Sequence, residues 1–180
     1  VFTEKELITL LTKEGFVNET PVLHLKLGDK VSVSDLFNAM LIGSANDAAL
    51  TLSNAVEKKS GELFETTMNK IALELGMTQS SFSNPLGFDS RTNYSSAQDL
   101  IKLINELDKY SAFSLVGKAT QYSFKSQLGN TYKIRATNKL VSTNPEIYAV
   151  KTGFTGGAQG TMITQALRDE NKITIIILGS

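Results

Sequence analysis

The chain has 180 residues, with 18 Lys+Arg against 18 Asp+Glu, one His, no Cys and no Trp. This is one domain's worth of sequence, and 41% hydrophobic with 20% charged residues is a globular mixture rather than a disordered one. Zero net charge argues against a nucleic-acid binder, absent Cys excludes disulfides and a Cys nucleophile, and a lone His24 excludes multi-His metal sites and leaves little room for a Ser-His-Asp triad.

Val1 in place of Met, with no basic-then-apolar leader, reads as a processed or cut start. No apolar run reaches the roughly 18 residues of a membrane-spanning helix. Glu4 to Lys13 reads as a short helix, followed by extended chain around Val22–Val33 with a turn at Gly28-Asp29. Ser34 is placed to cap a helix to about Ile42, with Asp35 near its positive end. A second helix spans Asp47 to Lys58. The clearest helix is 62–75, with Leu63, Phe64, Met68, Ile71, Ala72 and Leu75 on one apolar face and Gly76 as its stop. Residues 77–94 read as a structured loop broken by Asn84-Pro85 and Gly87. Ser95-Ser96-Ala97-Gln98 reads as a capping box opening helix 97–107. The pattern then changes to strands. Thr120–Leu128 and Thr131–Thr137 flank Gly129-Asn130, read as a two-residue hairpin turn. Further strands are expected at 147–153, 161–167 and 173–178, the last pair turned by Asp169-Glu170-Asn171. The very apolar Ile173–Leu178 reads as a central strand. The expected class is α+β: a helical cluster (34–118) packed on an antiparallel sheet (120–180), one domain over 1–180, truncated at both ends.

Two short motifs could carry chemistry. Lys151-Thr152-Gly153 ends an expected strand, where a cation beside a hydroxyl suits a carboxylate and the Gly lets an extended peptide approach the strand. A surface Lys before a turn is the plain alternative. Ser44-Ala45-Asn46 lies between two expected helices. Its hydroxyl could relay a proton and its amide hold a substrate amide, or both could simply cap helices. His24 reads as structural, and Met40, Met68, Met77 and Met162 as core filler. The acids Glu57, Glu62, Glu65 and Glu74 read as a solvated surface. Gly153, Gly156, Gly157 and Gly160 do not open a helix, so no phosphate loop is expected.

Ser-x-Asn followed by Lys-Thr-Gly resembles the penicillin-recognising serine enzymes. The surroundings look most like the D-alanyl-D-alanine carboxypeptidases, the low-molecular-mass penicillin-binding proteins. Leu27-Gly28-Asp29, Ser44 to Ala49, Phe82 to Asp89, Tyr94 to Leu100, Thr137 to Leu140 and Val150 to Thr155 all follow that pattern, which runs from about Leu25 to Gly179. One departure stands out: the family's Ser-x-x-Lys nucleophile motif occurs nowhere in these residues. The nearest pattern, Thr67-Met68-Asn69-Lys70, comes after Ser44 and on the buried side of an expected helix. The resemblance places the missing motif before Val1, as if the chain began after the nucleophile's helix.

The resemblance implies a penicillin-binding, β-lactamase-like transpeptidase fold and an acyl-enzyme mechanism on peptidoglycan stem peptides ending in D-Ala-D-Ala. Ser44 would shuttle a proton, Asn46 hold the substrate amide or the base, and Lys151 and Thr152 bind the terminal carboxylate. Gly153 completes that motif, and the Phe154 N–H would be one oxyanion donor. β-Lactams would inhibit the intact enzyme. The resemblance implies no metal, cofactor or nucleic acid, a place outside the cytoplasm, and membrane association only through segments outside the chain. A catalytically silent peptide binder or scaffold is the alternative, and a β-lactamase relative a further one.

Overall fold

The computed structural model describes residues 3, 5–10 and 21–180, apart from the side chains at 114, 115, 149 and 150. These residues fall into two units, each assembled from two stretches of chain: 1–61 with 119–137, and 62–118 with 138–180.

In the first unit, β1 (Leu7–Thr9) pairs antiparallel with β2 (Lys30–Ser32). The helix expected over 4–13 is therefore a strand at 7–9, and its last residues lie outside the described ones. The backbone partners supplied by β2 outweigh a weak helical propensity. Helix α1 (Val33–Gly43) begins two residues earlier than a Ser34 cap would place it. Its cap is Ser32, not Ser34: the Ser32 hydroxyl accepts from the Asp35 amide at 3.0 Å. Helix α2 (Asn46–Ser60) follows after two residues. The hairpin β3 (Gln121–Lys125) and β4 (Thr131–Arg135) completes the unit. Its inward positions Phe124, Tyr132 and Ile134 are buried together with Leu36, Ala39, Ile42 and Ala48 of the helices. The Phe124 and Tyr132 rings stack at 5.1 Å between centroids.

The hairpin does not close through a two-residue turn at Gly129-Asn130. The ladder ends at Lys125 opposite Thr131, leaving residues 126–130 as a loop. Buried Asp29 anchors this loop. Its carboxylate accepts from the Leu128 amide at 3.1 Å and the Asn130 side-chain amide at 2.8 Å, while the loop closes on itself through the Ser126 amide to the Asn130 carbonyl at 2.9 Å and the Gly129 amide to the Ser126 carbonyl at 3.0 Å. Burial pushes Asp29 up, but hydrogen bonds from Ser126, Asn130 and the Lys30 and Leu128 amides outweigh it and bring its pKa down to about 2.

The second unit holds α3 (Phe64–Glu74), α4 (Ala97–Leu107), α5 (Ser111–Val116), a 3-10 turn at Lys139–Ser142, and a sheet of β5 (Ile147–Thr155), β6 (Gln159–Arg168) and β7 (Asn171–Ile177). The apolar face expected on 62–75 is only partly used. Ala72 is buried, whereas Leu63 is 66% and Ile71 46% exposed. Glu62, read as solvated, is half-buried and pairs with Lys70. Helix α4 is capped by Ser96, whose hydroxyl accepts from the Asp99 amide at 3.2 Å. Ser95 instead lies against the Ser80 hydroxyl at 2.8 Å, so the expected box is shifted by one residue.

The sheet is antiparallel in the order β5-β6-β7. Asp169 and Glu170 turn the last pair with φ of 48° and 64°, the left-handed pair that matches hairpin twist. Helix α4 packs on β7. Buried Gln165 donates to Asp108 at 3.0 Å and Thr174 at 3.2 Å, and Lys172 pairs with the same Asp108. Among the described strands β7 is an edge, not a central strand. Its alternate residues Ile173, Ile175 and Ile177 remain 53%, 45% and 38% exposed. The apolar run was evidence of apolarity on both faces; only one face is covered by these residues.

Candidate active-site segments

The Ser-x-Asn corner is built by a left-handed break between α1 and α2. Ser44 caps the C-terminus of α1 with φ 55° and ψ 31°, a conformation that L-residues other than Gly, Asn and Asp enter at a cost. Ala45 is extended, and its amide reaches back to the Ala39 carbonyl at 3.3 Å. Asn46 opens α2 and donates its backbone N–H to Pro21 at 2.9 Å. The corner therefore gathers Ser44 and Asn46, both half-buried, at one junction. Strain held at a non-glycine residue is a recognised mark of functional sites.

Two neighbours that sequence reasoning missed hold this corner. A Cβ at Gly43 would lie 2.5 Å from Ile134 Cγ2, so only glycine lets the end of α1 approach β4. Asp47 is buried, and its carboxylate accepts from the Leu23 and Leu25 amides at 3.1 Å each. It pins the extended 21–25 segment to the start of α2. A Gly one residue before Ser-x-Asn, and an Asp one residue after it, were the available signals.

Lys151, Thr152, Gly153 and Phe154 lie on β5 of the second unit. The register slips between Ala149 and Lys151: Ala149 faces Thr164 and Lys151 faces Ile163, so two steps on β5 match one on β6. This bulge reverses the alternation and puts Lys151 on the sheet face shared with Ile163 and Gln165 rather than that of Met162 and Thr164. The sequence carried no marker for it. Lys151 Nζ donates to the Thr152 carbonyl at 2.6 Å. Burial pulls its pKa down to about 8. A Cβ at Gly153 would lie 2.7 Å from the Thr161 hydroxyl, so the close neighbour at this glycine is β6's own side chain. The Phe154 side chain is 75% exposed.

His24 is exposed with φ 55°, and Met77 is buried as expected of core filler. Among the described residues no three His, Cys, Asp or Glu gather as a metal site, and no helix is long and apolar enough to cross a membrane.

A capped helical corner carrying Ser-x-Asn and a bulged strand carrying Lys-Thr-Gly, in this chain order, follow the pattern of the penicillin-recognising serine enzymes. Residues 9–180 match the D-alanyl-D-alanine carboxypeptidase family, and the chain belongs to it. Among its relatives, DacC of Escherichia coli (strain K12) is 32% identical over 166 residues, covering 88% of this chain and 39% of that protein. DacF of Bacillus subtilis (strain 168) is 28% identical over 158 residues, covering 88% and 40%. Both are D-alanyl-D-alanine carboxypeptidases, and the chain spans about two fifths of their length. The crystal structure of the Streptomyces K15 DD-transpeptidase superposes with a TM-score of 0.87 at 27% identity, over 99% of this chain and 73% of that one. Penicillin-binding protein D2 of Listeria monocytogenes, in its cefotaxime-bound form, gives 0.79 at 26% identity, over 99% and 70%.

Proposed function

We propose that these residues form the Ser-x-Asn and Lys-Thr-Gly part of a serine-type D-alanyl-D-alanine carboxypeptidase that removes the terminal D-Ala of peptidoglycan stem peptides outside the cytoplasm. The observation that carries the reading is Lys151, a cation held by a bulge on the strand that bears Thr152 and Gly153. In the reaction a serine Oγ bonds to the carbonyl carbon between the two D-alanines, and the C–N bond breaks as the leaving amine takes a proton. Water then bonds to the same carbon as the acyl C–Oγ bond breaks, and a proton from that water restores the serine hydroxyl. Ser44 passes the proton towards the leaving amine, and Asn46 holds the substrate amide or the base. Lys151 and Thr152 bind the terminal carboxylate, and the Phe154 N–H is one donor to the oxyanion. No Ser-x-x-Lys occurs in the 180 residues, so this reading takes the acylating serine and its lysine from elsewhere in the protein. The same absence favours a second reading, a silent binder of stem peptides.

The test is the intact mass of the protein as the cell makes it, and of the 180-residue chain, before and after incubation with penicillin. A covalent adduct on the first and none on the second is the expected result. No adduct on either leaves the silent binder and removes the carboxypeptidase. An adduct on the 180-residue chain overturns the assignment of its serines. Lys151 adds a pH signature. It is charged below its pKa of about 8 and neutral above it, so capture of an anionic ligand should fade as pH rises through 8. Replacing it by Met should lower the second-order acylation rate about a hundredfold at pH 7 and erase that pH dependence.

A further inference from the structure

The stretch Phe82–Asp89 matches the family pattern, yet the reaction above gives it no task. It ends on Asp89, which reaches the turn between β5 and β6. Asp89 Oδ1 accepts from the Thr155 hydroxyl at 2.6 Å, and Oδ2 accepts from the Gly157 amide at 2.8 Å. Thr155 Oγ1 in turn accepts from the Ala158 amide at 3.0 Å. A Cβ at Gly157 would lie within 2.9–3.0 Å of the Asp89 carboxyl group, so the turn is shaped to admit it. Thr155 follows directly on Phe154, the last residue of the segment assigned to ligand.

The other end of this tether is stiff. Asn69 of α3 holds the Phe82 peptide on both sides, accepting from its N–H at 2.9 Å and donating to its C=O at 2.6 Å. Asn84 and Asn93 each donate to the Phe88 carbonyl at 3.0 Å. Asn84 also accepts from the Phe88 amide at 2.9 Å. The backbone next to Asp89 is thus locked from two sides before its carboxylate meets the turn. The Thr155 and Gly157 hydrogen bonds hold the Asp89 carboxyl below its ordinary pKa against the opposing effect of burial, as a charged acceptor of two donors should be.

We propose that Asp89 is a positioning residue for the Lys151–Phe154 segment: it fixes the β5–β6 turn to the asparagine-locked loop and so sets the angle at which β5 meets its ligand. The link to ligand rests on the function proposed above. A carboxylate serves both donors at once, the Thr155 hydroxyl and the Gly157 amide. An amide offers one acceptor oxygen and turns an NH₂ towards the second donor.

The test compares Asp89→Ala, Asp89→Asn, Thr155→Ala and the Asp89→Ala/Thr155→Ala pair in the protein as the cell makes it. Two quantities are read: amide exchange at 151–158, and the second-order rate of acylation by penicillin. Asp89→Ala should speed exchange from Thr152 to Ala158 and slow acylation by about tenfold or more, since small misplacements of binding groups cost that much. Asp89→Asn should fall between Ala and wild type. The double variant should be no slower than the worse single one, because both remove one coupled contact. Acylation within twofold of wild type in Asp89→Ala, or unchanged exchange, overturns the proposal. If the wild-type protein captures no penicillin, the function reading has failed, and exchange from Thr152 to Ala158 alone decides whether Asp89 positions the strand.

Discussion

Ser44 carries a conformational cost at the position to which the proposed function gives a proton relay. Its left-handed backbone suits glycine, and a side chain there costs roughly 1–2 kcal/mol. Comparing Ser44→Gly with Ser44→Ala isolates that cost, since neither variant keeps the hydroxyl. The glycine variant should be the more stable by about 1 kcal/mol in urea unfolding, and both should lose acylation. Equal stability would mean that the corner is unstrained. The motif residues Ser44, Asn46 and Lys151 to Phe154 were legible because they sit at fixed spacings. The residues that hold them were not. Asp29 reads as a turn residue and Asp47 as a helix start, and their burial depends on partners far along the chain, such as Leu128 for Asp29. A single sequence does not announce which acid will meet those amides.

Elements with strong local signals appear where the sequence places them. Helix α4 has its apolar spacing and its serine cap, and the Asp169-Glu170 turn has short polar residues between two alternating strands. Elements decided by remote partners were misread. β1 is a strand only because β2 pairs with it, and the 126–130 loop is anchored by Asp29 from a distant part of the chain. The bulge before Lys151 belongs to the same class, being a property of the pairing rather than of either strand. Gly43 gives an element-scale prediction. Alanine is a better helix former than glycine by up to about 1 kcal/mol. Its methyl would, however, meet the stiff, β-branched Ile134 at 2.5 Å, and overpacking costs about 1–3 kcal/mol. Gly43→Ala should therefore lower stability despite the helical gain, and adding Ile134→Ala should cost less than the sum of the two singles. A more stable Gly43→Ala would show that α1 and β4 can part freely.

At the scale of the whole molecule, each unit hides a carboxylate that stays ionised. Asp29 in the first is brought down to about 2, and Asp99 in the second is also lowered: burial raises it, but Lys102, Ser80 and the Gln79 amide outweigh that. A carboxyl lowered on folding adds stability above its unfolded value of 3.8 and loses it as pH falls through the folded value. The melting midpoint should thus stay level above about pH 4 and drop towards pH 2. Asp29→Asn and Asp99→Asn should each lower the midpoint at pH 7 and flatten that acid slope, followed by calorimetry from pH 7 to 2. The family was legible along the chain because its motifs are spread over nearly every element. The division into two units was not, because it follows the weave of the chain and not its order. That weave bears on synthesis. The first unit's helices leave the ribosome by Gly61, yet their core waits for Phe124, Tyr132 and Ile134. At about 5–20 residues per second the nascent helices stand with an open apolar face for several seconds, the interval in which a chaperone would find them.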